Sequence, residues 1–270
     1  MNNSFVRWLV RILQYLSFPF VGIEFIIRYL SALHKAKVYA DDPERYSPSE
    51  RYKTVYTLVS RIFYFRGVKI IKTGFENVPK KPVLFICNHK SNIDPLLLIQ
   101  IMNYEKEYPL VSFVAKKELK EKGFGKIARL IDLVYIDRDD IRQMAESIGA
   151  QEKLLRSNIS VAIFPEGTRI PGDEIGEFKA GALKVAYRAF APIVPVTIYG
   201  SEGHMGSRSS RSEKFQKRHG YKIYVEFHKP LQPLNFMNVQ STIIANNARD
   251  TIAKSYLEIK DKVSKKNKKK

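Results

Sequence analysis

Two short runs carry side chains that could do chemistry together: Asn88-His89-Lys90-Ser91-Asn92-Ile93-Asp94 and Phe164-Pro165-Glu166-Gly167-Thr168-Arg169. An alcohol is a poor nucleophile until a base takes its proton, and imidazole is the side chain best poised for this near neutral pH. A carboxylate on the other ring nitrogen would fix the tautomer and stabilise the imidazolium that forms. His89 and Asp94 offer both groups at a separation of five. Partners on one face of a continuous helix sit three or four apart, so this spacing suits a His on a strand-to-helix turn and an Asp at the helix start. A blander reading stays open, in which Asp94 only caps the helix entered at Pro95 and His89 is a turn residue.

In the second run, Gly167 can adopt positive φ and let a ligand approach the backbone. Arg169 offers a planar fork matched to phosphate oxygens. Lys116, Lys117 and Arg138, near other strand ends, could join the same cationic pocket, although each taken singly reads as a solvated surface charge. Glu166 beside them could simply orient the arginines. No G-x-S-x-G elbow supplies an enzyme nucleophile, and Ser91 reads as a turn or cap residue. The attacking group would then be a substrate hydroxyl, with no covalent enzyme intermediate. Cys87, the one cysteine, lies inside an apolar run and reads as a small buried hydrophobe. No Cys/His spacing suits a metal.

Both runs leave apolar strands, Val83–Cys87 and Ser160–Phe164, and polar residues at the carboxyl ends of buried strands are where open α/β sheets bind ligands. Further strands are expected at Val68–Thr73, Val111–Ala115, Leu133–Ile136, Ile193–Tyr199 and, with the alternation of an edge strand, Tyr221–Phe227. Helical spacing covers Arg51–Phe65, Ile93–Met102, Gly123–Ile131, Ile141–Arg156, Ala180–Ala189 and the stretch from Ser241. Strands alternating with helices predict a mostly parallel sheet layered with helices. The expected organisation is N-terminal helices over 1–34, a connector and helix over 35–67, a catalytic domain over 68–240, and a C-terminal helix with a disordered lysine-rich tail over 241–270.

The formal charge of +19 over 270 residues implies an anionic partner. Residues 5–30 are rich in aromatic and aliphatic side chains but carry Arg7, Arg11, Glu24 and Arg28. The uncharged stretch Ile12–Ile23 is too short to span a bilayer, and no small-residue cleavage site follows it. Phe5, Trp8, Leu9, Ile12, Leu13 and Leu16 recur at helical spacing, which predicts a helix lying in the membrane interface, then a second over about Val21–Leu33 after a break at Pro19. The alternative is a helix pair packed on the protein's own core.

Over about residues 68–200 the chain resembles the 1-acyl-glycerol-3-phosphate acyltransferase family of the glycerolipid acyltransferase superfamily. NHKSNID is similar to its NHxxxxD block, and AKKEL through Tyr135-Ile136-Asp137-Arg138 to its second. FPEGTR with Phe178-Lys179-Ala180-Gly181 is similar to the third, and Ile193-Val194-Pro195-Val196 to the fourth. The four blocks stand in the family's order. The resemblance implies a catalytic dyad of His89 and Asp94, and phosphate binding by Arg169, Lys116 and Arg138. It implies an acceptor site shaped by Glu166, Gly167 and Thr168, an acyl-CoA or acyl-carrier-protein thioester as co-substrate, and neither metal nor other cofactor. Ile170 departs from the small polar residue often found after the arginine.

The expected reaction is acyl transfer to the sn-2 hydroxyl of lysophosphatidic acid, giving phosphatidic acid, with glycerol 3-phosphate or another lysophospholipid as alternative acceptors. The expected location is the cytoplasmic face of the cell membrane, peripheral or monotopic, on an anionic surface. A basic membrane-binding protein without activity is the reading from another class. Nucleic acid is not an expected partner, because the charge forms no recognisable nucleic-acid motif.

Overall fold

The computed structural model describes residues 3–102, 107–121, 123–137, 140–202 and 222–268. Among these, β1 (Lys69–Thr73), β2 (Leu84–Cys87), β3 (Leu110–Lys116), β4 (Val134–Ile136), β5 (Ile159–Ile163), β6 (Ile193–Tyr199) and β7 (Lys222–Phe227) form one sheet. Their order is β1-β7-β6-β2-β5-β3-β4. Only the β6–β7 ladder is antiparallel, so the mostly parallel α/β sheet expected from the alternating pattern is what the chain builds. Strands covered on both faces need continuous apolar runs, and every residue of β2 and β5 is buried.

Successive side chains of a strand point to opposite faces. Phe85 and Cys87 thus enter a core shared with α1 (Asn3–Asp41), α2 (Pro48–Arg66), α3 (Asp94–Met102) and α4 (Gly123–Ala128). Leu84 and Ile86 enter a second core, made with α5 (Ile141–Arg156), α6 (Lys184–Ala189), α7 (Pro233–Phe236) and α8 (Ser241–Lys268). Local signals set the helix ends. Ser47 and Glu50 form a capping box ahead of α2, with Pro48 in its first turn and Gly67 closing it at φ 59°. Asp140 caps α5 by accepting the N–H groups of Arg142 and Gln143.

Three elements differ from the sequence expectation. First, one helix runs from Asn3 through Pro19 to Asp41, so there is no helix pair there and residues 35–41 are not connector. The Ser17-Phe18-Pro19-Phe20 stretch has no Gly, Asn or Asp to make a turn, and Ala32 and Ala36 of the same helix are buried in the core. Second, β7 is not an edge strand but lies between β1 and β6. It alternates because Ile223, Val225 and Phe227 are buried while Lys222, Tyr224 and Glu226 are not. Third, α8 stays helical through Lys268 where a disordered lysine tail was expected. Lysine is a good helix former, and the helix is nucleated upstream by buried Ile244, Ala248, Ile252 and Tyr256.

One buried ion pair joins α1 and α2 to the turn that leads into β4. Arg51 Nη1 donates to Leu130 O at 2.9 Å and to Asp132 Oδ1 at 2.8 Å. Tyr39 Oη donates to the same Asp132 oxygen at 2.6 Å, and burial with this bond pushes the Tyr39 phenol up to about 12. Removing one member of a buried pair leaves the other uncompensated, at about 3–5 kcal/mol. Arg51→Ala should therefore lower the unfolding free energy measured in urea by a loss of that size, whereas a surface Arg156→Ala should change it by about 0.5 kcal/mol or less.

Candidate active site

The connection leaving β2 passes through α3 on one face of the sheet, and the connection leaving β5 passes through α6 on the other. Neighbouring parallel strands whose connections diverge open a crevice at their carboxyl ends. β2 and β5 are such neighbours, paired from Leu84↔Val161 to Ile86↔Ile163. This places the end of the first run against the start of the second, although they lie far apart in the chain.

β2 ends with Asn88 binding the neighbouring strand like one more ladder residue. Its Nδ2 donates to Ile198 O at 2.9 Å and its Oδ1 accepts Ile198 N–H at 2.8 Å. The backbone then turns, and His89 Nδ1 donates to Asp94 Oδ2 at 2.9 Å. The same oxygen accepts the N–H groups of Lys90 and Ser91, each at 2.7 Å. Asp94 is fully buried at the N-terminus of α3, where the helix dipole favours negative charge. It does not cap α3 forward, as the blander reading had it; its carboxylate reaches back to the turn and to the imidazole. With Nδ1–H fixed on Asp94, Nε2 is the basic nitrogen. Phe164, the residue after β5, stacks on the imidazole with centroids 4.3 Å apart and planes at 28°.

Glu166 ties the two runs together through the backbone. Its Oε1 accepts His89 N–H at 2.7 Å, its Oε2 accepts Gly176 N–H at 3.0 Å, and Ile170 N–H returns a bond to His89 O at 3.0 Å. Glu166 is buried, and that burial raises its carboxyl above the ordinary value against the pull of both hydrogen bonds. Gly167 takes φ 73° in the turn that closes on Phe164 O, a conformation with little cost for glycine alone. Thr168 and Arg169 follow, exposed at the rim. Lys116 ends β3, the strand next to β5, and is also exposed. Lys117 pairs with Asp137 at 3.7 Å. Arg138 lies outside the described residues.

The carboxyl ends of β2, β5 and β3 thus present His89, Arg169 and Lys116 along one edge. Such a site can deprotonate a hydroxyl at one end and attract an anion at the other. Cys87 sits in mid-sheet with its thiol pushed up by burial, and Ser91 is buried with Oγ accepting Ile93 N–H at 3.4 Å. Among the described residues, no three His, Cys, Asp or Glu side chains gather as a metal site. Sequence reasoning assigned no role to Asn88, Phe164 or Lys90. Asn88 and Phe164 were findable as the residues standing where the β2 and β5 apolar runs stop. The partner of Lys90 has no such local mark.

Comparison with known proteins supplies a separate line of observation. A family model described as Acyltransferase matches residues 69–199. A protein of Mycoplasma pneumoniae named "Probable 1-acyl-sn-glycerol-3-phosphate acyltransferase" is 45% identical over 259 residues, covering 96% of this chain and 97% of that one. A 1-acyl-sn-glycerol-3-phosphate acyltransferase of Borreliella burgdorferi is 31% identical over 73% of this chain and 75% of its own. The crystal structure of the 1-acyl-sn-glycerophosphate (LPA) acyltransferase PlsC from Thermotoga maritima shares the fold. Its TM-score is 0.61 at 21% identity, over 89% of this chain and 98% of that one.

The geometry makes a prediction that needs no substrate. Nitrogen NMR should find the neutral His89 ring protonated on Nδ1, and Asp94→Ala should move that proton to Nε2. The variant also leaves two buried N–H groups without their acceptor, at about 1–3 kcal/mol each. An unchanged tautomer would mean that Asp94 does not orient the ring.

Proposed function

The chain belongs to the 1-acyl-sn-glycerol-3-phosphate acyltransferase family, and on that premise we propose how its site carries out the family's reaction. The enzyme transfers a fatty acyl group to 1-acyl-sn-glycerol 3-phosphate, lysophosphatidic acid, and so makes phosphatidic acid for phospholipid biosynthesis. The acyl donor is a thioester, acyl-CoA or acyl carrier protein. The observation that carries the mechanism is the His89 Nδ1 to Asp94 Oδ2 bond of 2.9 Å at the exit of β2.

His89 Nε2 takes the proton of the sn-2 hydroxyl as its oxygen attacks the thioester carbonyl carbon. Asp94 stabilises the imidazolium that results. When the tetrahedral intermediate collapses, the carbon–sulfur bond breaks and the leaving thiolate takes the proton back from Nε2. The imidazole ends neutral, and atoms and charge balance with the two substrates alone. Arg169 and Lys116, with Arg138 from the second motif block, bind the acceptor phosphate. Glu166 holds the His89 backbone, and Gly167 and Thr168 form the acceptor rim.

The acceptor is a membrane lipid, and α1 offers a surface to match. Phe20, Ile23, Ile27 and Leu30 lie at spacings of three and four and are 77%, 59%, 62% and 58% exposed. Phe25, Tyr29 and Leu33, on the other side of the helix, pack against the core. Among the described residues no helix is long and apolar enough to cross a membrane. The apolar stripe supports peripheral or monotopic attachment, and the formal charge of +19 suits an anionic leaflet, the character of the cytoplasmic one.

An acceptor panel of lysophosphatidic acid, glycerol 3-phosphate and a second lysophospholipid, run with each thioester and read by product mass, tests the reaction. Lysophosphatidic acid should be consumed in preference, and folded His89→Ala should lose about a hundredfold to ten-thousandfold in rate. Arg169→Ala should lose about 1.5–3 kcal/mol of acceptor recognition, roughly ten- to more than a hundredfold in kcat/KM, with thioester binding little changed. Near-normal turnover by His89→Ala would remove the mechanism. Replacing Phe20, Ile23, Ile27 and Leu30 by serine, at exposed positions away from the packed side of α1, should release the protein from anionic liposomes in flotation. Retention would put the membrane contact on another surface.

A further inference from the structure

The segment after the second motif, residues 170–177, has no regular structure, yet it is fastened from both sides. From the catalytic turn, Lys90 donates through Nζ to Glu174 O, with its ammonium 5.3 Å from the Tyr256 ring centroid. Gly176 N–H donates to Glu166 Oε2. From α8, Arg249 grips two consecutive carbonyls, Nε to Gly176 O and Nη2 to Ile175 O, both at 3.0 Å. Lys260 Nζ meets Asp173 Oδ2 at 2.7 Å. A continuous path therefore runs from Arg249 through the Gly176 peptide to the Glu166 carboxylate and on to the His89 N–H.

The fit along this path is tight. A Cβ on Gly176 would stand 2.9 Å from Glu166 Oε2 and 2.9 Å from Ile170 Cγ1, so the peptide lies directly on the carboxylate it serves. Arg249 is not needed to seat α8, which is held by buried Ala245, Ala248, Ile252 and Tyr256. Its own side chain is 38% exposed, with Nη1 paired to Asp250 Oδ1 at 3.1 Å. Its planar fork matches two carbonyls in a way that a lysine cannot. It also lies well beyond residue 199, where the family match ends.

We propose that Arg249 is a positioning residue of the active site: by fixing the Ile175 and Gly176 carbonyls it holds Gly176 N–H on Glu166, and through Glu166 it sets the His89 turn. The effect on rate rests on the reading of His89 as the base; the effect on geometry does not. Loss of the clamp lets the turn shift, and small misplacements of a catalytic group are costly. It also removes a donor from a carboxyl already raised by burial, with Lys90 and His89 facing it from the turn and Arg249 beyond the peptide. The Glu166 carboxyl then rises further, and the ionised form that holds His89 N–H is lost at a higher pH.

The test compares Arg249→Ala and Arg249→Lys in the full-length protein by hydrogen exchange, thermal unfolding and kinetics. Arg249→Ala should speed exchange of the Gly176 and His89 amides while β2 and β5 keep their protection and the melting temperature stays near wild type. Its kcat/KM should fall by on the order of tenfold to a hundredfold, with the acid limb moved to higher pH, and Arg249→Lys should recover part of each change. Unchanged exchange at both amides overturns the proposal whatever the activity. A general loss of protection and melting temperature, with the acid limb in place, also overturns it by making Arg249 merely structural. Altered exchange without altered kinetics would overturn Arg249 as a positioning residue and leave His89 as the base, whose own failure would show in His89→Ala instead.

Discussion

A carboxylate with no solvent exposure must find its hydrogen bonds inside the protein, and Asp94 takes three donors from one turn of chain on Oδ2, while its buried Oδ1 has no hydrogen-bond partner among the described residues. Meeting that need folds the backbone of residues 89–91 around the Asp94 side chain and leaves the imidazole no other convenient orientation. The separation of five follows from it. The chain must leave β2, bend back over the carboxylate and enter α3 with Asp94 at the helix start. Orientation of the imidazole and local folding of the turn are here one set of bonds, so replacing Asp94 acts on both at once.

The sheet supplies what that turn lacks. The two motifs come together because β2 and β5 are ladder neighbours, and β3 brings the basic end of its own strand alongside. Glu166 then bonds the back of the first motif with a side chain of the second. Burial and hydrogen bonding act on it in opposite directions, so the site depends on the donors placed around that carboxylate. The guanidinium of α8 stabilises one of those donors from outside the sheet.

The buried parallel strands were legible in the sequence as unbroken apolar runs, since both faces of β2, β5 and β6 are covered. The His89–Asp94 contact was legible in its spacing, and the basic Lys116 in its place at a strand end. Other features depend on contacts between distant residues and leave no local trace. The Pro19 stretch looked like a break because the packing that holds the later half of α1 lies on α2 and the core. The pattern of β7 fits an edge strand as well as an interior one, because alternation reports one covered face and not the number of ladder partners. Nothing local marks Lys90 or Arg249, for the carbonyls they bind lie 84 and at least 73 residues away.

The place of β1 in the sheet has a consequence for how the chain is made. Its ladder partner is β7, with Lys69 opposite Lys222, so β1 emerges from the ribosome long before the strand that completes it. At about 5–20 residues per second the delay is roughly 8–30 s. During that interval β1 is an open strand edge, the kind of surface on which chains associate wrongly. Lys69 and Lys72 on this five-residue strand carry charge of one sign, which repels a second copy of the same edge. The nascent chain is thus protected by residues that have no part in the chemistry.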